Sequence, residues 1–296
     1  MRKRNVCLAL LMGAMACPGF ADTLELTGIV RDFKRGDQAG GHPDFETAHL
    51  SGRGGYGLVK GLVAWSLGAD GKPVYNPARP SKDTILSEGS FTQWFRDVSD
   101  VNLSAPLTLS LSNGASEPGG VYTYQNNAFW PINGMMFGNQ GLTKNFHFTF
   151  ELNTVFTYEP GQRFTFVGDD DVWVFVNGRL VIDLGGVHSA ETGSVILFDG
   201  KAFVNKAHFN TGNGVEDIGS ATLADLSAKW TAQAMEGEFP ISSTSHRMID
   251  LGMNPGDSAA LHFFFAERHT TQSNFRIDTS IQLEVAPLTT VSPLYD

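Results

Sequence analysis

The sequence predicts an all-β protein, an antiparallel β-sandwich with long loops and one short outer helix. Apolar and polar residues alternate over many short runs, as in half-buried antiparallel strands. Turn signals rich in Gly, Pro and Asn separate these runs. The chain also has 33 glycines and only 21 Lys and Arg residues among 296. This composition argues against a coiled coil or a helical repeat.

The predicted strands are runs of alternating or β-branched and aromatic residues. In chain order they are Leu24–Val30, Gly61–Trp65, Leu107–Leu111, Phe146–Leu152, Phe164–Val167, Val172–Val176, Leu180–Leu184, Val195–Phe198, Ser258–Phe265 and Phe275–Leu283. A helix is predicted over Leu223–Met235, because Leu223, Leu226 and Trp230 recur at spacings of three and four. Residues 76–145 are rich in Gly, Asn, Ser and Pro and are expected to form long ordered loops.

The most informative stretch is a hairpin motif between residues 168 and 186. Asn177-Gly178 separates two apolar runs, which favours a two-residue type I′ turn. Such a turn would pair Val176 with Arg179 and, continuing without interruption, Val172 with Asp183. It would also bring Asp183 to the same open end as the preceding acidic run.

That acidic run consists of three consecutive carboxylates, Asp169, Asp170 and Asp171. Adjacent carboxylates repel one another unless a cation, a basic side chain or water screens them. Calcium takes six to eight oxygen ligands, which clustered Asp, Asn and backbone carbonyls can supply. Spacing alone leaves two interpretations open, a solvated acidic loop or a calcium site that includes Asp183.

The N-terminus has the pattern of a secretory signal peptide. Arg2-Lys3-Arg4 precedes an apolar stretch and then small residues around Ala21. We expect residues 1–21 to be the signal, with a lipoprotein anchor at Cys17 as the alternative. Residues 22–287 are expected to form a single domain, and residues 288–296 a flexible tail. No segment is long and apolar enough to predict a membrane span.

The net charge of the predicted mature chain limits the kinds of partner that it can bind. Removing residues 1–21 takes three basic and no acidic residues from 21 and 31, which leaves a net charge of −13. A strongly acidic exported protein repels nucleic acid and anionic membranes. Neutral ligands and divalent cations are the compatible partners. Both cysteines, Cys7 and Cys17, lie in the predicted signal, so no disulfide is expected in the mature chain.

Three blocks of the sequence resemble the fibro-slime domain family of exported proteins. They are Arg31–Glu46, Phe164–His188 and Phe264–Arg276. This family is similar to the lectin-like β-sandwich domain first described in anthrax protective antigen and shared with yeast flocculins. The resemblance implies a jelly-roll type of sandwich.

In the lectin-like relatives, an Asp-Asp pair just before the hairpin strand coordinates calcium, and a late loop supplies further oxygens. The resemblance therefore implies metal ligands at Asp169, Asp170 and Asn274, to which the hairpin geometry adds Asp183. Further binding candidates lie in the same acidic run and in the three blocks. They are His42, Asp44, Asp171, His188, His269 and Arg276.

Three functions remain open. No nucleophile elbow, zinc-binding helix or phosphate-binding loop is present, so an enzyme, for example one acting on glycosides, is the least expected. We expect an exported, non-enzymatic adhesion or matrix protein, stabilised by calcium, that binds glycans or other surface components. The alternative is a structural module without a sugar ligand. Candidate sugar-contacting residues lie between Tyr122 and Trp130.

Overall fold

The structure, a computed structural model, describes residues 21–46, 56–78, 84–114, 120–204, 208–209 and 247–285. Its strands, numbered in chain order, are β1 (Thr23–Phe33), β2 (Asn102–Ser112), β3 (Tyr122–Asn126), β4 (Phe148–Thr157), β5 (Arg163–Gly168), β6 (Asp171–Val176), β7 (Arg179–Leu184), β8 (Glu191–Phe198), β9 (Lys201–Val204), β10 (His208–Phe209), β11 (Arg247–Asp250), β12 (Ser258–Glu267), β13 (Phe275–Thr279) and β14 (Leu283–Val285). One short helix, α1 (Glu88–Phe91), occurs in the described part of the chain.

The strands form one continuous hydrogen-bonded sheet. Its order is β11-β9-β8-β5-β13-β3-β2-β1-β4-β12-β6-β7, with β10 pairing β8 and β14 pairing β4. All ladders between these strands are antiparallel. The predicted all-β, antiparallel fold is therefore confirmed.

Several predicted elements differ from the structure. Gly61–Trp65 is not a strand and contributes one isolated bridge, between Val63 and Tyr75. Residues 76–145, expected as loops, contain α1, β2 and β3. Phe275–Leu283 spans β13 and the start of β14, because the chain bends between Ser280 and Gln282. The predicted helix over 223–235, most of the predicted signal and the predicted tail lie outside the described residues.

The central hairpin is present, and its predicted register is correct for the two pairs next to the turn, including Phe175 with Leu180, but wrong from Val174 onward. Asn177 and Gly178 both have positive φ, 47° and 74°, as a type I′ turn requires. Val176 pairs with Arg179 as predicted, but a bulge between Val174 and Phe175 shifts the ladder by one residue. Asp183 therefore pairs with Trp173 and not with Val172.

Strands β6 and β12 have apolar residues on both faces because each face lies against a separate core. One face supplies Val174 and Phe263 to the main core, whose members include Phe150, Phe166 and Phe275. The other face supplies Trp173 and Phe264 to a second core, which α1 and its flanking residues complete. That core includes Phe33, Phe45, Leu62, Ile85, Phe91, Trp94 and Phe95. Burial on two faces explains the near-continuous hydrophobic sequence of β6.

Among the described residues, no helix has both the length and the apolar character that crossing a membrane would require.

A buried carboxylate in β1 anchors the loop before β4. Asp32 accepts hydrogen bonds from the Phe137 backbone N–H (2.8 Å) and from the Asn145 side-chain amide (2.9 Å). Burial of this carboxyl group raises the pKa of Asp32 from 3.8 to about 7, although both hydrogen bonds act to lower it.

This shift predicts a pH dependence of stability. Because the folded protein holds the Asp32 proton more tightly than the unfolded chain, the contribution is present below about pH 4 and is lost as the pH rises to about 7. Each pH unit in that window lowers the free energy of unfolding by at most about 1.4 kcal/mol. Urea unfolding from pH 4 to 8 should show a smaller slope for Asp32→Asn. Asp37→Asn, at a half-exposed carboxylate paired with Arg35, is the control. Equal slopes for wild type and Asp32→Asn would contradict the assignment.

Candidate functional site

A cavity of about 420 Å³ opens beside the turn between β5 and β6. Its walls come from four parts of the chain: the segment at Tyr56, the acidic run, the start of β8 and the loop after β12. The lining residues are Tyr56, Gly57, Asp169, Asp170, Val187, His188, Ser189, Glu191, His269, Thr270, Thr271 and Gln272. The sequence-predicted Asp169, Asp170, His188 and His269 are thus brought together here.

The backbone around Gly168 positions the acidic run against the loop before β13. A Cβ added at Gly168 would lie 2.3 Å from the carbonyl oxygen of Asn274, so only glycine allows this close approach. The Asp169 N–H donates to the same carbonyl oxygen (3.4 Å). Asp170 follows with φ of 61°, a left-handed conformation that Asp tolerates better than most residues. The turn therefore directs successive carboxylates in different directions.

Asp169 and Asn274 meet as the resemblance implied. The Asn274 side-chain amide donates to Oδ2 of Asp169 (3.1 Å), whereas Oδ1 of Asp169 is buried and receives no hydrogen bond from a described residue. Burial raises the pKa of Asp169. Asp169 therefore has one oxygen that lacks a protein donor.

Asp170 lies beside a carboxylate that sequence reasoning missed, Glu267 at the end of β12. Asp170 accepts a hydrogen bond from the Arg268 backbone N–H (2.8 Å), and burial raises the pKa of Asp170 to about 7. Glu267 is fully buried next to Asp170 and Ser273. Neither Glu267 oxygen receives a well-aligned hydrogen bond from a described residue, and burial together with the Asp170 charge raises the pKa of Glu267 well above its ordinary value. Its position after an apolar strand carried no signal in the sequence.

Glu191 is a second acidic residue that the sequence did not single out. It pairs with Gly168 at the start of β8 and lines the cavity. Its Oε2 atom is buried without a hydrogen bond from a described residue, and burial raises the pKa of Glu191 to about 7, with Lys60 acting in the opposite direction.

Asp171, by contrast, belongs to the second core. Its Oδ2 forms a fully buried ion pair with Nε of Arg268 (2.6 Å), and its Oδ1 accepts from the Gly186 N–H (2.7 Å). The same guanidinium donates to the Thr84 carbonyl and hydroxyl and lies 4.7 Å from the Trp94 ring centre. Asp171 is a structural residue that holds strand, loop and aromatic core together.

Asp183 is also directed away from the cavity. Because of the bulge it lies opposite Trp173, on the face of the hairpin that meets the second core. Its Oδ1 accepts from the Trp173 indole N–H (3.1 Å), and its Oδ2 accepts from the Gly61 N–H (2.7 Å). These bonds give Asp183 a structural role, and it is not among the residues that line the cavity.

His42 and Asp44 are likewise held within the second core. Asp44 accepts hydrogen bonds from the Leu86 N–H (2.7 Å) and the Trp94 indole (3.0 Å). Nδ1 of His42 accepts from the Asp44 N–H (3.2 Å), and burial lowers the pKa of His42. Neither residue lines the cavity.

Of the remaining residues predicted to bind a ligand, one lines the cavity and another lies on the protein surface. His188 lines the cavity, with its ring nitrogens facing the carbonyl oxygens of Leu184 (3.2 Å) and Ser189 (2.8 Å). Arg276 lies on the surface, where it pairs with Asp278 (2.7 Å). In the stretch expected to contact sugar, Tyr122 and Phe129 are buried in the main core, whereas Asn127 is exposed.

Three side chains at the cavity mouth, those of Tyr56, His269 and Glu46, form a chain of polar contacts that was not predicted as a unit. The Tyr56 hydroxyl lies 2.9 Å from Nε2 of His269, and Nδ1 of His269 lies 3.0 Å from Glu46. Burial alone would raise the pKa of Glu46, but the polar contacts with His147 and His269 lower it well below its ordinary range. The contact with the Glu46 carboxylate in turn raises the pKa of His269.

The cavity is lined by acidic residues, and some buried carboxylate oxygens in and beside it receive no hydrogen bond from a described residue. Asp169 and Glu191, which line the cavity, and Glu267, which lies beside Asp170, each have a buried oxygen without a well-aligned hydrogen bond from a described residue. Leaving such groups without a partner costs free energy that a cation would recover. In the part of the chain that the structure describes, however, no three carboxylate, His or Cys side chains already converge on one point. A bound ion would have to draw them together.

We expect Arg268→Met to destabilise the fold by about 3–5 kcal/mol, because it leaves the buried Asp171 carboxylate without its cation. Chemical denaturation measures this loss. The double variant Arg268→Met/Asp171→Asn should recover part of it, since no lone charge remains. Arg276→Met, which removes an exposed pair, should change stability by less than about 1 kcal/mol. A change of similar size for both single variants would contradict the structural role of Arg268.

Comparison with known proteins finds relatives among the psi proteins of Dictyostelium discoideum. The chain is 31% identical to protein psiR of Dictyostelium discoideum over 273 residues and 34% identical to protein psiQ over 240 residues. These matches cover 88% and 77% of this chain but only 21% and 19% of psiR and psiQ. Protein psiD is 32% identical, over 76% of this chain and 36% of its own length. The chain therefore spans about a fifth to a third of these relatives. No protein-family profile and no solved structure matches it.

Proposed function

We propose that this chain is an exported, non-enzymatic β-sandwich of the fibro-slime, lectin-like type, which binds calcium at the acidic cavity. The bound ion would then hold a carbohydrate or another cell-surface or matrix component in an adhesion role. The observation that carries the proposal is Glu267, a fully buried carboxylate beside Asp170 with no well-aligned donor on either oxygen. The charge of the predicted mature chain and the similarity to parts of much longer proteins are compatible with a binding module.

The electrostatics favour a cation over an empty cavity. Burial raises the pKa values of Asp169, Asp170 and Glu267, which means that the folded protein holds these groups less readily as anions. Among the described residues, the basic side chain that acts on Asp170 is Arg268, which is committed to Asp171 on the other side of the turn. A divalent ion would stabilise all three anionic forms at once.

The proposed ligands are the side chains of Asp169, Asp170, Glu267 and Asn274. All four are oxygen donors, as a hard cation such as calcium requires, and the cavity could add water or ligand hydroxyls. Asn274 would turn its amide oxygen toward the ion in place of the N–H that now meets Asp169. Asp183 is not proposed as a ligand, because both of its oxygens accept bonds in the second core.

The second candidate is a purely structural calcium site. The proposed ligands come from the β5–β6 turn, the end of β12 and the residue before β13. An ion there would tie together three segments without any external ligand. This possibility shares the ion with the first proposal and differs from it only in the absence of a bound partner.

We expect millimolar calcium to raise the melting temperature of the wild-type protein above its value in EDTA. At a concentration of 100 times the Kd, the gain is about 2.7 kcal/mol, which corresponds to roughly 5–10 °C in a domain of this size. Thermal melting and calorimetric titration with calcium measure the effect. Glu267→Gln should lose the calcium response and in EDTA should be at least as stable as wild type, because a neutral amide suits a buried position.

Asp170→Asn should also lose the response. Asp278→Asn, at a partly exposed carboxylate that pairs with Arg276, should keep it and is the matched control. Identical melting curves for wild-type protein in EDTA and calcium, with no heat of binding, would refute the calcium site. A full calcium response in Glu267→Gln would refute the proposed ligand set.

A further inference from the structure

Charged residues lie in a row at one end of three neighbouring strands, β2, β1 and β4. Phe33 at the end of β1 pairs with Asn102 at the start of β2, and the Phe33 N–H donates to a carbonyl just before β4 (2.8 Å). A few residues beyond these strand ends lie Asp100 before β2, Lys34 after β1 and Lys144 before β4. Across this end of the sheet, a carboxylate is therefore followed by two ammonium groups.

Two exposed apolar side chains lie at the same end of the sheet. Leu103, which is 39% exposed, pairs with Asp32 in the ladder between β1 and β2. Paired residues of an antiparallel ladder point to the same face, and the Asp32 carboxylate accepts the Phe137 N–H, so Leu103 lies beside the loop that carries Phe137. Met135 in that loop is 54% exposed. Exposed apolar side chains that lie near one another are typical of contact surfaces, whereas scattered ones are not.

The loop that presents Met135 is held in a strained backbone conformation. Met136 and Gln140 have φ of 54° and 53°, which is rare for residues other than Gly, Asn and Asp. The Gln140 side chain accepts a hydrogen bond from the Arg35 N–H (2.7 Å) and donates one to the Phe33 carbonyl (2.8 Å). Strained positions of this kind cluster at functional sites. A loop that is already fixed also loses little conformational entropy when a partner packs on it.

The two lysines lie against aromatic rings of the same loop. Nζ of Lys34 lies 5.0 Å from the centre of the Phe137 ring, and Nζ of Lys144 lies 5.1 Å from the centre of the Trp130 ring. Within the described ranges, neither of these lysines forms a salt bridge, and Asp100 does not form one either. The charges of Lys144 and Asp100 are therefore available to a partner.

These residues form one surface, the strand-end patch, which is self-complementary. It consists of Lys34, Asp100, Leu103, Met135, Phe137 and Lys144. A two-fold axis through the patch brings Asp100 of each copy toward Lys144 of the other, with Leu103 and Met135 between the two charged ends. Such a surface fits the symmetry of a dimer, in which the same patch is used by both subunits. Complementary charges then fix the orientation of the two copies.

The charge of the whole chain favours a second copy over a lipid surface. The predicted mature chain has a net charge of −13, which repels an anionic membrane. The same charge disfavours random contacts between two copies. An arrangement that places the lysines of each copy against a carboxylate of the other is the one in which the local attraction opposes this repulsion.

We propose that the strand-end patch is the interface of a weak two-fold dimer of this chain. Lys144 of one copy pairs with Asp100 of the other, and the exposed apolar side chains are covered between them. The patch shares no residue with the lining of the acidic cavity. The inference therefore goes beyond the proposed function and does not depend on it.

Sedimentation velocity of the wild-type protein, from low micromolar to several hundred micromolar, tests the dimer. The buffer contains EDTA, so that the result is independent of the calcium site. We expect a dimer that dissociates several-fold more readily in half-molar sodium chloride than at low salt, because salt screens exposed ion pairs. Lys144→Glu and Asp100→Lys should each weaken dimerisation at least tenfold, since each brings like charges together. A mixture of these two variants should associate like wild type, because each mixed dimer regains both charge pairs.

Lys201→Glu, at a surface lysine outside the patch that pairs with Asp199, is the matched control and should dimerise like wild type. Because Asp100 has φ of 62°, melting curves verify the folding of Asp100→Lys, and Asp100→Asn, which suits this backbone, should weaken dimerisation by a smaller factor.

A monomer at every concentration, wild-type dimerisation in both charge-reversed variants, or a mixture of them that stays monomeric would each overturn the inference. Vesicles of phosphatidylglycerol and phosphatidylcholine test the other occupant. A monomer that binds these vesicles, and loses that binding in Lys144→Glu, would assign the patch to a lipid surface and would also overturn the proposed dimer.

Discussion

The buried ion pair between Arg268 and Asp171 is the interaction on which the rest of the structure depends. It joins the end of β12 to the start of β6 and, through Thr84 and Trp94, to the second core. A guanidinium without exposure is tolerable only because a carboxylate, two carbonyl oxygens, one hydroxyl and an aromatic face surround it. Because Arg268 holds Asp171 in the second core, Asp171 does not line the cavity. The acidic lining comes instead from carboxylates that form no ion pair in that core, such as Asp169 and Asp170.

The two sides of the β5–β6 turn show how closely related residues take on different roles. Asp169, Asp170 and Asp171 are consecutive, yet within the described ranges only Asp171 forms an ion pair with an arginine or lysine side chain. Asp170 and Glu267 lie next to each other in a buried position, where each disfavours the charge of the other. Proteins maintain such costly arrangements mainly at functional sites. Carboxylates in a solvated loop would not carry this free-energy cost of burial. The cost, more than the number of acidic residues, sets the cavity apart from such a loop.

Periodicity predicted most strands, since alternation and turn residues act locally. The hairpin at Asn177-Gly178 was predicted for the same reason, but the bulge after Val174 was not, because nothing in an apolar run marks where an extra residue enters the ladder. That bulge is why Asp183 faces Trp173 and why the metal prediction at this residue has no geometric support. Glu267 and Tyr56 escaped prediction because their importance comes from neighbours about 100 residues away or more. Asp169 and Asn274, in contrast, came together as the resemblance implied.

The position of the cavity within the sheet has a kinetic consequence. Its walls require Tyr56, Asp170, Glu191 and His269 to meet, and β12 must first pair with β4 and β6, each roughly a hundred residues away in the chain. Closing such long loops delays assembly relative to a fold built from neighbouring hairpins. No half of the domain would contain all the walls of the cavity, so binding at the proposed site would report that folding is complete. A chain interrupted before β12 would expose unpaired strand edges and would lack this cavity.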